Sequence, residues 1–243
     1  MQVNNANQHS NKLITIEDVT TELHKAFSIF NKTFFEGDLP TPAITIQTNG
    51  NKRNSMGWCS RVPTWGNKDG SLQLYELNLS AEFLDLDFYE TMDTLLHEMV
   101  HLYHMVNGIQ DTSRKGAYHN KKFRDKVLEL GFEYKINKPD PTHGWTYARI
   151  GPALKERIAK MNIDQSIFQI SKKGYIYFQA LSQGKSPEEA TRISETLNSN
   201  SISGAEKSKS HKWLCPSCGM RVISYKDNLN ILCGDCEINL EKQ

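Results

Sequence analysis

No apolar run in this chain approaches the roughly 20 residues that cross a bilayer, and the N-terminal stretch is polar where a secretory signal would be apolar. A membrane-spanning helix is excluded, and a soluble chain that stays in the cytoplasm is expected. A surplus of charge is also missing. The 29 Lys and Arg against 28 Asp and Glu leave a net charge of +1, so any pull towards nucleic acid or anionic lipid must come from local patches. No internal repeat is visible, which excludes a solenoid. Cysteine is scarce outside one pattern, for only Cys59 stands apart from Cys215, Cys218, Cys233 and Cys236.

What is present centres on Leu95-Leu96-His97-Glu98-Met99-Val100-His101. On a helix, residues four apart share a face, so His97 and His101 can hold one zinc ion with Glu98 beside them as general base. The four paired cysteines form two CxxC elements with 14 residues between them. In a chain that is not secreted, this reads as a closed structural zinc site of the ribbon type and not as a disulfide framework. Two zinc ions are expected, one catalytic and one structural. With 38% hydrophobic residues among 243, one core of ordinary size and a small appendage fit the length.

Along the chain, Thr15 followed by Glu17 and Asp18 marks a helix start, and Val19, Leu23, Phe27, Phe30 and Phe34 give that helix an apolar face ending near Gly37. Residues 41–48, 56–60 and 72–79 read as strands of a small, mostly antiparallel sheet. Asp87 opens the helix that carries the motif, which stops near Gly108. Phe123, Val127, Leu128 and Leu130 make the apolar side of a following helix ending at Gly131, and residues 144–147 read as a short strand. Pro187 sits at the first position of a later helix. The expected organisation is a disordered N-terminus over 1–13, a catalytic domain over 14–162, a helical extension over 163–197, a linker over 198–210 and a ribbon over 211–243.

A catalytic zinc takes three protein ligands, and four residues compete for the third place. His104 shares the motif helix, His119 opens the next helix, His143 precedes Gly144, and Glu129 lies on the third helix. The metzincin pattern is excluded, because His104 and Asn107 occupy the positions where it needs Gly and His. In its motif helix, the elements around it and its paired cysteines, the chain resembles the SprT-like (Spartan-type) zinc metalloproteases. That family has a minimal zincin-like α+β domain of helix, small sheet, HExxH helix and following helix, often with a C-terminal zinc ribbon. In it the third ligand precedes an aromatic by four positions, and His119-Asn120-Lys121-Lys122-Phe123 fits that frame, with Asn120 where Gly is common. The resemblance implies His119 as the ligand and a metalloprotease hydrolysing peptide bonds by a metal-activated water.

Spartan-type members cleave proteins crosslinked to DNA, which implies DNA, single-stranded by preference, as a partner. The residues available for it are Lys207, Lys209, Lys212 and Trp213 ahead of the ribbon and Lys121 and Lys122 beside His119. Tyr103 and Tyr118 are candidates for assisting the oxyanion. The alternative is a zinc-stabilised nucleic-acid-binding or regulatory protein whose HExxH domain is inactive.

Overall fold

The computed structural model describes residues 13–48, 55–203 and 210–243, with side chains except over 198–203. The expected disordered N-terminus therefore lies outside the described residues apart from Leu13, as do Lys207 and Lys209. The chain divides into two compact units, Met1–Lys172 and Lys173–Gln243.

The first unit runs α1 (Ile16–Phe34), β1 (Ala43–Gln47), β2 (Gly57–Cys59), β3 (Trp65–Gly66), β4 (Gln73–Leu74), β5 (Glu76–Ser80), α2 (Phe88–Val106), β6 (Thr112–Ser113), β7 (Tyr118–His119), α3 (Lys121–Leu130), β8 (Phe132–Glu133), β9 (Arg149–Ile150) and α4 (Pro152–Ala159). It is an α+β arrangement of helices around a small sheet. A full capping box starts α1, where Thr15 and Asp18 bond each other's backbone N–H groups. Val19, Leu23, Phe27 and Phe30 then bury one face of α1 in a single core shared with Leu95, Met99 and Leu102 of α2.

The sheet has the order β1-β5-β2, and one of its two pairings departs from the mostly antiparallel arrangement expected. β1 runs parallel to β5, with Ile44 beside Leu77, while β2 pairs antiparallel with β5. Almost thirty residues separate β1 from β5, enough chain for the crossover that parallel pairing needs. β2 lies at one edge. The stretch 72–79 is two strands and not one, because β4 pairs with β3 and β5 turns inward to β1 and β2.

Asp87 caps α2 by accepting the Tyr89 N–H at 2.9 Å. Asn120 does the same for α3, which ends in a left-handed Gly131. Leu128, placed on the apolar side of α3 by its spacing, is 45% exposed, and Lys126 takes the inner position instead. Its ammonium lies over the Tyr103 ring at 4.2 Å and the Phe35 ring at 5.6 Å, and pairs with Glu129 at 2.7 Å. Residues 144–147 form no strand beyond bridges at Gly144; the strand is β9.

The unit also extends beyond the expected boundary at 162. Ile163 and Phe168 are buried in the same core, Asp164 N–H donates to Glu22 at 2.6 Å, and Lys172 N–H donates to the Ala81 carbonyl at 2.8 Å.

The second unit holds α5 (Tyr175–Ser182) and α6 (Pro187–Ser203), joined through a left-handed Gly184, and then β10 (His211–Leu214), β11 (Arg221–Ser224) and β12 (Glu241–Lys242). The linker composition from Asn198 begins inside α6, since extending an established helix costs little even for Ser and Asn. β10 pairs with β11 and β12 around a small core of Trp213, Cys215, Cys233 and Leu240. No described helix is long and apolar enough to cross a membrane.

Candidate metal centre

α2 carries Asp93, His97 and His101 at successive four-residue steps, so all three share one face, and that face forms the floor of a cleft of about 680 Å³. One wall is the sheet edge, from Ser55 through β2 to Arg61. The other is the segment 109–116 with His119, and Thr146, Tyr147 and Arg149 complete it.

His119 is brought there by a short network of backbone bonds. Its N–H donates to the His143 carbonyl at 3.0 Å, and Trp145 N–H donates to the His119 carbonyl at 3.0 Å. Gly144 sits between those contacts with φ +67, and a Cβ on it would collide with the His119 carbonyl oxygen. Only glycine serves there.

The Nε2 atoms of His97, His101 and His119 stand 3.2, 3.3 and 3.1 Å apart pairwise. Nitrogens sharing a tetrahedral zinc at 2.0–2.1 Å lie roughly 3.3 Å from one another, so the triangle fits zinc in both spacing and donor type. Phe123 packs against all three rings, holding the cluster from beneath. Burial keeps His97 well below its ordinary pKa and His119 down to about 4, each reinforced by the neighbouring imidazoles. Both rings are therefore neutral and free to donate a lone pair.

The other ligand candidates lie elsewhere. His143 offers its carbonyl to His119 Nδ1 at 3.3 Å, His104 is buried and faces Asp111, and Glu129 is paired with Lys126.

Glu98 lines the cleft yet is only 6% exposed. Burial raises its pKa to about 7; neighbouring His101 and the Cys59 backbone N–H, which donates to the carboxylate, pull the other way, while Asp111 adds to the rise. That value is close to what a proton shuttle at neutral pH requires. The sheet edge reaches Glu98 because residue 57 is glycine. A Cβ there would stand 2.7 Å from the Asn78 carbonyl oxygen, 2.8 Å from Thr94 Cγ2 and 3.2 Å from Glu98 Cγ. We expect Gly57→Ala to displace β2 from α2 and cost about 1–3 kcal/mol; a denaturation midpoint equal to wild type would contradict this close packing.

Three charged residues of the site are not singled out by sequence motifs. Asp93 is buried, its Oδ2 accepting the Ile150 N–H at 2.9 Å and its Oδ1 facing Arg149 at 3.6 Å. Burial raises its carboxyl to about 6. Its position four residues before His97 was a usable signal. Asp111 and Arg149 carried none, because they reach the site only through the fold. Neither tyrosine proposed for the oxyanion lines the cleft: Tyr103 packs on Phe35 and Lys126, and Tyr118 lies under the Arg114 guanidinium at 4.7 Å. Tyr147 and Arg149 do line it.

In the second unit the Sγ atoms of Cys215, Cys218, Cys233 and Cys236 lie within 4.8 Å of one another, a cluster compatible with a zinc ribbon. Trp213 is only 7% exposed in the core beside it and presents no face for stacking on a base, contrary to expectation. Among residues 211–243 the exposed aromatic is Tyr225, at 72%. Lys212, Lys121 and Lys122 are exposed, whereas Lys126 and Arg124 of the basic run on α3 are engaged by Glu129 and Asp125.

A helix offering two histidines and a buried glutamate, with a third histidine folded back onto the same point, defines a metallopeptidase-like domain. The model of the SprT-like family matches residues 23–143, and the chain belongs to that family through this domain. No curated protein and no solved structure matches it.

Proposed function

We propose that the protein is a zinc-dependent endopeptidase, and that the proteins it cuts are associated with DNA. The observation that carries the first part is the convergence of three Nε2 atoms within 3.3 Å beside a buried carboxylate in one cleft. When bound, zinc would polarise the scissile carbonyl and acidify a water molecule.

The chain's own residues do the rest. Glu98 takes the proton from the attacking water and passes it to the leaving nitrogen. The exposed edge of β2 offers backbone groups to an extended peptide, a mode of recognition that selects little by side chain. Arg149 adds positive charge to the cleft beside His97.

Support for the DNA-associated substrates comes from the family and from the exposed Lys212, Lys226 and Tyr225 on the ribbon. A catalytically inactive, nucleic-acid-binding domain is the competing reading, and the intact set of three histidines and Glu98 favours the peptidase. Incubating the protein with an unfolded DNA-binding protein, with and without single-stranded DNA, tests both parts. Cleavage abolished by a chelator and restored by zinc is expected. Affinity for single-stranded DNA should fall steeply with salt and drop on Tyr225→Ala with Lys212→Ala. No cleavage under any condition sinks the peptidase; salt-independent or absent binding sinks the DNA association.

A further inference from the structure

Behind the three histidines lies a buried carboxylate that none of the chemistry above uses. Asp111 is 8% exposed, and one of its two carboxylate oxygens, Oδ2, stands 2.6 Å from His101 Nδ1 and 3.2 Å from His104 Nδ1. Its main chain reaches in another direction. The Asp111 carbonyl accepts the Asn120 N–H at 2.8 Å, and the Asn120 side-chain amide donates to the Gln110 carbonyl at 2.8 Å. The next residue, Thr112, pairs with His119 in the β6–β7 ladder. One residue thus touches α2 through its side chain and the His119 segment through its backbone.

We infer that Asp111 is the positioning residue of the metal centre, acting on two of the three ligands at once. The inference rests on the metal-site part of the proposed function and not on proteolysis. An ionised carboxylate can only accept hydrogen bonds, so both imidazoles must donate from Nδ1. A proton on His101 Nδ1 leaves the lone pair on Nε2, the atom that faces His97 and His119.

His104 gains a role by the same geometry. It is a second donor to the same oxygen, which keeps the carboxylate from rotating away from His101. A buried histidine one turn beyond the ligands is thereby explained without making it a ligand. The backbone half of the arrangement addresses a different problem, because His119 belongs to a hairpin and not to α2. The Asp111–Asn120 and Thr112–His119 pairings hold that hairpin in register with the helix. Asn120 also caps α3 by accepting the Lys122 and Phe123 N–H groups, so the residue after His119 ties the hairpin to the start of α3.

The experiment is a zinc competition on full-length protein, using a chromophoric chelator, with the four-cysteine site as internal reference. Asp111→Asn should lower the affinity of the histidine site roughly 10-fold and Asp111→Ala nearer 100-fold, the range known for partners of this kind. Release from the cysteines should be unchanged in both. His104→Ala should show a smaller loss in the same direction. A second measurement needs no variant: in the zinc-loaded wild type, ring ¹H–¹⁵N spectra should show His101 and His104 with the proton on Nδ1.

Wild-type zinc affinity in both Asp111 variants overturns the inference, as does an Nε2–H tautomer at His104. A lowered unfolding midpoint of the zinc-free variants with unchanged zinc affinity also overturns it, since that marks a purely structural residue. If the wild type takes zinc at the cysteines alone, the metal reading fails and this inference with it. Loss of peptidase activity alone bears on neither.

Discussion

Glu98→Gln will keep zinc at both clusters and lose peptidase turnover by at least roughly 100-fold, the lower end of what a positioned general base contributes. The two halves of this result have separate causes. The histidine site would hold zinc through imidazole nitrogens alone, and their spacing does not involve the carboxylate. Glutamine has the shape of glutamate and an oxygen that still accepts the Cys59 N–H, so the wall between β2 and α2 stays in place. What it lacks is a site for a proton at neutral pH. Metal content by atomic absorption and cleavage of an unfolded protein read the two halves independently. Turnover within tenfold of wild type would remove Glu98 from the mechanism, and zinc loss in this variant would show that the carboxylate is part of the metal site.

His119→Ala should take the chain from two bound zinc ions to one. The ion that remains is the one at the cysteines, whose Sγ cluster lies in a separate unit. Two histidines on one helix leave a zinc ion without a third protein donor. The loss should therefore exceed the roughly 10- to 100-fold that follows removal of a ligand's hydrogen-bonding neighbour. The fold should survive, because β7 is held through backbone bonds from the His119 N–H and carbonyl, which alanine keeps. Two zinc ions retained in this variant would return the third-ligand question to His143 or Glu129.

Much of the fold was legible because it depends on local rules. The capping box at Thr15, the apolar face of α1 and the caps at Asp87 and Asn120 are decided by side chains within one helical turn. The two ligands on α2 are legible for the same reason, since four-residue spacing needs no knowledge of the rest of the chain. Strand direction is of another kind. Nothing in the alternation of residues 41–48 says whether that strand meets its partner head to head or head to tail. β1 lies parallel to β5 because the crossover between them leads the chain back to the same end of the sheet. Leu128 and Lys126 show the same limit at the scale of a side chain. Their places on α3 were exchanged by what stands opposite, where the faces of Tyr103 and Phe35 receive the Lys126 ammonium. Trp213 is the clearest functional case. Cations ahead of it suggested a stacking surface, yet the ribbon is so small that Trp213 is drawn into its core.

By itself the sequence determined the HExxH helix with Glu98 beside its two histidines, the two CxxC pairs and the SprT-like frame, all of which are patterns of spacing. The tertiary structure alone decided which of four candidates completes the triangle, that Gly57 lets the sheet edge press on Glu98, and that Asp111 ties His101 to the hairpin bearing His119. The reason is physical. A helix fixes geometry between residues a turn apart, while contacts between separate segments exist only once backbone hydrogen bonds and the shared core have set those segments side by side.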